Sequence, residues 1–187
     1  MFDQRIIEDA IKVLKVGGMI IYPTETLWGI GCDATNEAAV GKLSVIKKRD
    51  VTKGYIIMVD GLDMLSDYVE LVSGSVKEFL FSEMPTTIVF PTCCNLPDNV
   101  IRSDGTVAFR VAKTKLCKEL IQGFGKPLVS TSANLSNEPP ALEKQNISSS
   151  LITSVDFVID LPEGHEMSMV PSRIFSVNSN GSLKIIR

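Results

Sequence analysis

Two short apolar runs that each break into a burst of hydroxyls constrain this chain more than any other feature. In the first, Met19-Ile20-Ile21-Tyr22 meets Pro23 and turns polar at once as Thr24-Glu25-Thr26, followed by Trp28, Gly29 and Gly31. In the second, Pro127-Leu128-Val129 runs straight into Ser130-Thr131-Ser132-Ala133-Asn134. Short apolar runs bounded by turn residues suit buried strands, and polar residues at a strand's carboxyl end suit a ligand site there. Each burst alone also reads as a capped turn, and Trp28 to Gly31 after the first reads as a flexible loop. Two further features bear on the choice. Residues 47–49 are Lys47-Lys48-Arg49, and Arg110 stands among apolar neighbours, where an arginine needs a partner or a ligand. Taken together they point to one shared anion site.

The rest of the chain supplies the frame. The spacing predicts a helix capped by Asp3, with Ile6, Ile7, Ala10, Ile11 and Leu14 on one face and Gly17-Gly18 as its end. Asn36 caps a second helix running to about Lys48, with Ala39, Val40, Leu43 and Ile46 inward. Its basic end is cheap helix stabilisation on one reading and an anion clamp on the other. Both Lys47 and Arg49 are expected at an exposed helix end, where losing a charge costs little stability. Residues 55–59, 86–90 and 106–111 read as strands, residues 62–72, 75–81 and 116–124 as helices, and 148–150 as a polar turn. Residues 157–159, 173–175 and 183–186 read as final strands. This alternation predicts one α/β domain over 1–187, built on a mixed sheet.

Composition removes several function classes. A net charge of -3 and a pI near 5.3 argue against a broad electrostatic nucleic-acid surface. The four cysteines form no C-x-x-C pair, so a zinc site is not indicated. The one histidine, His165, lies in Pro162-Glu163-Gly164-His165-Glu166, a stretch expected to be a mobile loop, which disfavours histidine catalysis. Gly41-Lys42-Leu43-Ser44 lacks the first glycine of a phosphate loop and follows helical residues, so a P-loop is rejected. No apolar run approaches a membrane span and no signal pattern opens the chain, so no membrane partner and a cytoplasmic location are expected.

Tyr22-Pro23-Thr24-Glu25-Thr26, Lys47-x-Arg49 and Ser132-x-Asn134 together resemble the Sua5/YrdC/YciO family, whose characterised members are threonylcarbamoyl-AMP synthases. Pro85-Thr86-Thr87, Val107-Ala108-Phe109-Arg110 and Pro171-Ser172 fall between and after them in the family's order, so the likeness runs from about Gly17 to Arg187. The resemblance is to the short, single-domain YrdC (TsaC) type. It implies a twisted mixed sheet with flanking helices around a deep concave cavity. It also implies synthesis of L-threonylcarbamoyladenylate from L-threonine, bicarbonate and ATP, with pyrophosphate released, for tRNA t6A37 modification. By the same resemblance Lys47, Arg49, Ser132 and Asn134 are the catalytic nucleotide-site residues. Lys53, Thr106 and Arg187 join them around ATP, and Thr26, Arg110, Ser130 and Ser172 line the threonine pocket. Mg2+ would arrive on ATP with few protein ligands. TsaD/TsaB/TsaE-type tRNA-modification proteins would accept the product, and tRNA or double-stranded RNA is a further candidate partner. Met58 and Pro140 stand where some relatives carry histidine and serine, and Ser82-Glu83-Met84-Pro85 replaces the usual Trp-Pro-Gly-Pro. The alternatives are a YciO-type paralogue of the same fold and an RNA-binding or ribosome-maturation module.

Overall fold

The computed structural model describes residues 4–70, 73–178 and 181–187. The expected cap at Asp3 lies outside these. Six helices are described: α1 (Gln4–Lys15), α2 (Glu37–Ile46), α3 (Leu62–Ser66), α4 (Gly74–Phe81), α5 (Lys115–Phe124) and α6 (Ser149–Thr153). The strands are β1 (Ile20–Pro23), β2 (Trp28–Gly31), β3 (Ile56–Val59), β4 (Thr86–Phe90), β5 (Val107–Val111), β6 (Leu128–Ser132), β7 (Phe157–Val158), β8 (Arg173–Val177) and β9 (Leu183–Ile185). They form one mixed sheet in the order β7-β1-β2-β6-β3-β5-β4-β8-β9. None of the described helices is long and apolar enough to cross a membrane.

Strand alternation sends successive side chains to opposite faces. On one face Ile21, Ile30, Ile57, Val59, Phe109 and Val129 pack with Ala39, Val40 and Leu43 of α2 and Val76 and Leu80 of α4. On the other, Ile20, Tyr22, Met58 and Leu128 pack with Ile7, Ala10 and Leu14 of α1 and Leu116, Leu120 and Ile121 of α5. Gly125 ends α5 with φ 78°, in the left-handed region that glycine enters without a Cβ clash. The pair α1 and α5 covers only part of its face. The register continues that face through Ile56, opposite Ser130 and Ala108, and through Arg110, opposite Met58 and Thr87. Gly29 lies opposite Ser132. Of this row, Gly29, Ile56, Arg110, Ser130 and Ser132 form the floor of a cleft.

Three expectations change. First, residues 28–31 are a strand rather than flexible loop. β1 and β2 form a hairpin, and β2 then pairs antiparallel with β6. Gly31 is there for close approach: a Cβ at that position would stand 2.1 Å from the Val129 carbonyl and 3.3 Å from the Tyr22 ring. Second, the helix expected over 62–72 stops at Ser66; its last two residues lie outside the described ones. The Asp67 and Tyr68 carbonyls accept instead from Asn95 Nδ2 (2.8 Å) and from the Cys94 amide (2.9 Å), which ends the helical ladder. Third, residues 148–150 are not a free turn. Ser148 caps α6, its hydroxyl accepting from the Leu151 amide at 3.2 Å.

The 162–172 segment is also more fastened than its sequence suggests. The Ser168 and Met169 amides donate to the Glu25 and Thr26 carbonyls, each at 3.0 Å. His165 Nε2 lies 3.1 Å from the Thr24 carbonyl. These three contacts strap the segment across the 24–27 turn.

Candidate active site

The cleft has a volume of about 380 Å³, and its lining includes Thr26, Trp28, Arg110, Ser130, Ser132, Asn134, Ser172 and Arg187. The 24–27 turn forms one wall and Thr24 builds it. The Thr24 hydroxyl accepts from the Thr26 and Leu27 amides at 3.1 and 3.2 Å and donates to the Leu27 carbonyl at 2.8 Å. Thr26 Oγ1 stands 3.0 Å from Thr24 Oγ1 and accepts from Arg110 Nη1 at 3.4 Å. The turn is thus locked from within while it presents Thr26 to the arginine.

Arg110 is only 5% exposed. Its sequence setting demanded a partner, and the structure supplies Glu25, whose Oε1 is 3.2 Å from Arg110 Nε. A buried pair of this kind offsets desolvation rather than adding much net stability. Neither oxygen of Glu25 nor Nε of Arg110 completes a hydrogen bond. Across the floor, Thr87 and Ser172 share a hydroxyl contact of 2.8 Å. Arg187 reaches the same side, its Nη2 donating to the Ser172 carbonyl at 3.3 Å.

The second burst lies partly within β6, and the loop after it is held by Lys47. Lys47 is 2% exposed, contrary to the expectation of an exposed helix end. Its ammonium donates to the Ser132 carbonyl and, at 2.6 Å, to the Asn134 carbonyl. Its own carbonyl accepts from the Ser136 amide at 2.9 Å. Burial, with a smaller repulsion from Arg49, pulls the Lys47 ammonium down to about 8. Asn134 Nδ2 closes the loop by donating to the Leu135 and Glu138 carbonyls, which leaves its buried Oδ1 without a partner.

Of the residues singled out from sequence, Thr26, Arg110, Ser130, Ser132, Asn134, Ser172 and Arg187 come together in the lining. Lys47, Arg49, Lys53 and Thr106 are not among the lining residues. Arg49 lies over the Tyr55 ring and donates through Nη2 to the Gly54 carbonyl at 2.7 Å. Thr106 donates to Asp104 at 2.6 Å. The turns carrying Lys53 and Thr106 meet through the Ser103 amide and the Thr52 carbonyl. Sequence reasoning missed Glu25 as the partner of Arg110. The only signal was an acid set between two threonines, and nothing local names a partner far along the chain.

No cysteine is among the lining residues, and burial pushes the Cys32 and Cys117 thiols up to about 12, leaving them protonated at neutral pH. Among the described residues no group of His, Cys, Asp and Glu could hold a metal ion by itself. The site offers two guanidinium groups, several hydroxyls, an amide and, from Glu138, one carboxylate. That set binds and orients anions; it does not supply a strong base.

Comparison with known proteins accords with this chemistry. A threonylcarbamoyl-AMP synthase of Pseudoalteromonas translucida (strain TAC 125) is 39% identical over 168 residues, covering 88% of this chain and 90% of that one. The crystal structure of P. abyssi Sua5 complexed with L-threonine superposes with a TM-score of 0.89 at 23% identity, covering all of this chain but 55% of its own. That of E. coli YciO gives a TM-score of 0.82 at 22% identity, covering 99% of this chain and 89% of its own. At those identities the two structures establish the shared fold alone. The model of the Sua5/YciO/YrdC family, described as "Telomere recombination", matches residues 12–187, and the chain belongs to that family.

Proposed function

We propose that this chain is an L-threonylcarbamoyladenylate synthase. The observation that carries the reading is Arg110, a buried guanidinium facing a cleft walled by Thr26, Ser130, Ser132 and Ser172. The synthase relative aligned over nearly the whole of both chains supports it, and it is favoured over a YciO-type or RNA-binding role.

The chemistry fits what the residues can do. The threonine amine and bicarbonate give a carbamate and water. The carbamate oxygen then attacks the α-phosphorus of ATP, forming the P–O bond of the adenylate as the bond to pyrophosphate breaks. Neither nucleophile nor leaving group needs a strong base, so catalysis rests on positioning and on charge. Arg110 pairs with the threonine carboxylate, with Thr26, Ser130 and Ser172 around it. Ser132 and Asn134 orient the nucleotide, and Arg187 meets it at the rim. Lys47 fastens the loop that carries Ser132 and Asn134, while Arg49, Lys53 and Thr106 attend the phosphates from the neighbouring turns. With Glu138 as the carboxylate of the lining, the site suits a Mg2+ that enters on the phosphates and neutralises part of their charge. Cytoplasmic TsaD/TsaB/TsaE-type proteins would take the adenylate on to tRNA.

The test is pyrophosphate release from ATP by the purified chain. Release should require threonine and bicarbonate together. Release that ignores either one overturns the reading.

A further inference from the structure

Glu25 has no place in the chemistry above, yet it is the acid that pairs with Arg110. It is 7% exposed and is not among the lining residues of the cleft. Its backbone is fixed on both sides, by the Thr24 hydroxyl that locks the turn and by the Ser168 amide on its own carbonyl. Its carboxylate oxygens accept no hydrogen bond, and their near partner is Arg110 Nε at 3.2 Å. A carboxylate desolvated in this way, without hydrogen bonds of its own, is held by the opposite charge alone.

The geometry divides the guanidinium. Nε faces Glu25 and Nη1 reaches Thr26. No protein partner is described for the remaining N–H groups, and Arg110 lines the cleft, so they are available to meet a carboxylate in a bidentate fork. An arginine side chain has four rotatable bonds, and without a partner behind it the fork would sample several directions. Glu25 also makes a buried cation tolerable before substrate arrives.

We propose that Glu25 is a positioning residue for amino-acid recognition: it holds Arg110 from behind so that the guanidinium presents its outer edge to the substrate's carboxylate. This rests on the reading that Arg110 meets the carboxylate of threonine. Glu25 acts on the amino acid and not on the nucleotide, because its ion pair is with Arg110, and the more distant charge it feels, Lys113, does not line the cleft.

The experiment compares Glu25→Gln and Glu25→Asp with the unaltered protein, measuring KM for threonine, KM for ATP and melting temperature. Glu25→Gln keeps the shape and removes the charge. It should raise the threonine KM roughly tenfold to a hundredfold, as expected of a misaimed binding group, and leave the ATP KM within about twofold. Glu25→Asp keeps the charge on a shorter arm and should fall between, a partial rescue that a packing role would not give. A threonine KM unchanged in Glu25→Gln, or equal rises for threonine and ATP, overturns the proposal. If Glu25→Gln does not fold, Glu25→Asp decides: a threonine KM equal to that of the unaltered protein overturns it, and a selective rise upholds it. Failure of the unaltered protein to need threonine would instead overturn the synthase reading itself.

Discussion

Replacing Lys47 by methionine separates a residue that clamps phosphate from one that ties a loop. Methionine keeps most of the buried stem and removes the ammonium, so the Ser132 and Asn134 carbonyls lose their shared donor. A buried acceptor left unsatisfied costs about 1–3 kcal/mol. The Ser132 carbonyl keeps the Asn134 amide at 2.9 Å, so the Asn134 carbonyl alone is left without a described donor, which sets the loss at about 1–3 kcal/mol. For a chain of this size 1 kcal/mol moves the melting temperature by about 2–4 °C, so a fall of roughly 3–10 °C is expected. The effect depends on pH. The folded Lys47 titrates at about 8 against an ordinary 10.5. The unfolded chain therefore holds more protons between those values, and the contribution of Lys47 to stability grows as pH rises through that window. The gap in melting temperature between the unaltered protein and Lys47→Met should widen from about pH 7 to about pH 10. Differential scanning fluorimetry across that range, with pyrophosphate release on the same samples, reads both effects. A variant that melts within about 2 °C of the unaltered protein while losing turnover refutes the tether and restores a simple phosphate clamp.

Arg110→Ala should raise the KM for threonine more than that for ATP; equal rises would move Arg110 to the nucleotide. The same change strands Glu25 and should cost about 3–5 kcal/mol in a denaturation curve. Ser132→Ala should lower turnover about a hundredfold with little change in melting temperature, since no protein partner is described for its hydroxyl. Asn134→Ala should lower both, because Nδ2 closes the loop onto Leu135 and Glu138; unchanged turnover in both variants would remove these residues from the site. Gly31→Ala should cost about 3 kcal/mol, because the new methyl would meet the Val129 carbonyl. Gly41→Ala, with nothing within 4 Å of the added carbon, should stabilise α2 by about 0.5–1 kcal/mol, and thermal melts of both variants check the contrast.

Where the sequence was informative, local chemistry was the reason. Asn36 was legible as a cap because an amide oxygen three residues ahead of Ala39 is the usual acceptor for that amide, and the bond is there at 3.1 Å. Strands β4 and β5 were legible because their apolar residues are contiguous and bounded by turns. The 28–31 strand was hidden because its glycines mimic a loop; only its neighbours in the sheet reveal that they are there for closeness. The fold family and most of the lining could be reached through ordered motifs. Lys47 and Glu25 show the limit. A lysine at the end of a helix and an acid in a turn look solvent-facing until the distant segments that bury them are in place.

The strand order has a consequence for how the molecule comes into being. The contacts that define the cleft join residues far apart along the chain: 84 positions for Arg110 and Thr26, 85 for Thr87 and Ser172, 87 for Lys47 and Asn134. Each such pairing must meet its loop-closure entropy before it returns any energy. Helices α1, α2 and α5 can flicker into existence early, but the cleft has no partial form. Its two walls are delivered by separate stretches and meet only when β2 docks against β6. On a ribosome, the stretch carrying Thr24 to Trp28 must therefore wait, with both outer edges of its hairpin unpaired, while more than half of the polypeptide is made. That interval is when the β1–β2 hairpin is most exposed to mispairing and most in need of a chaperone.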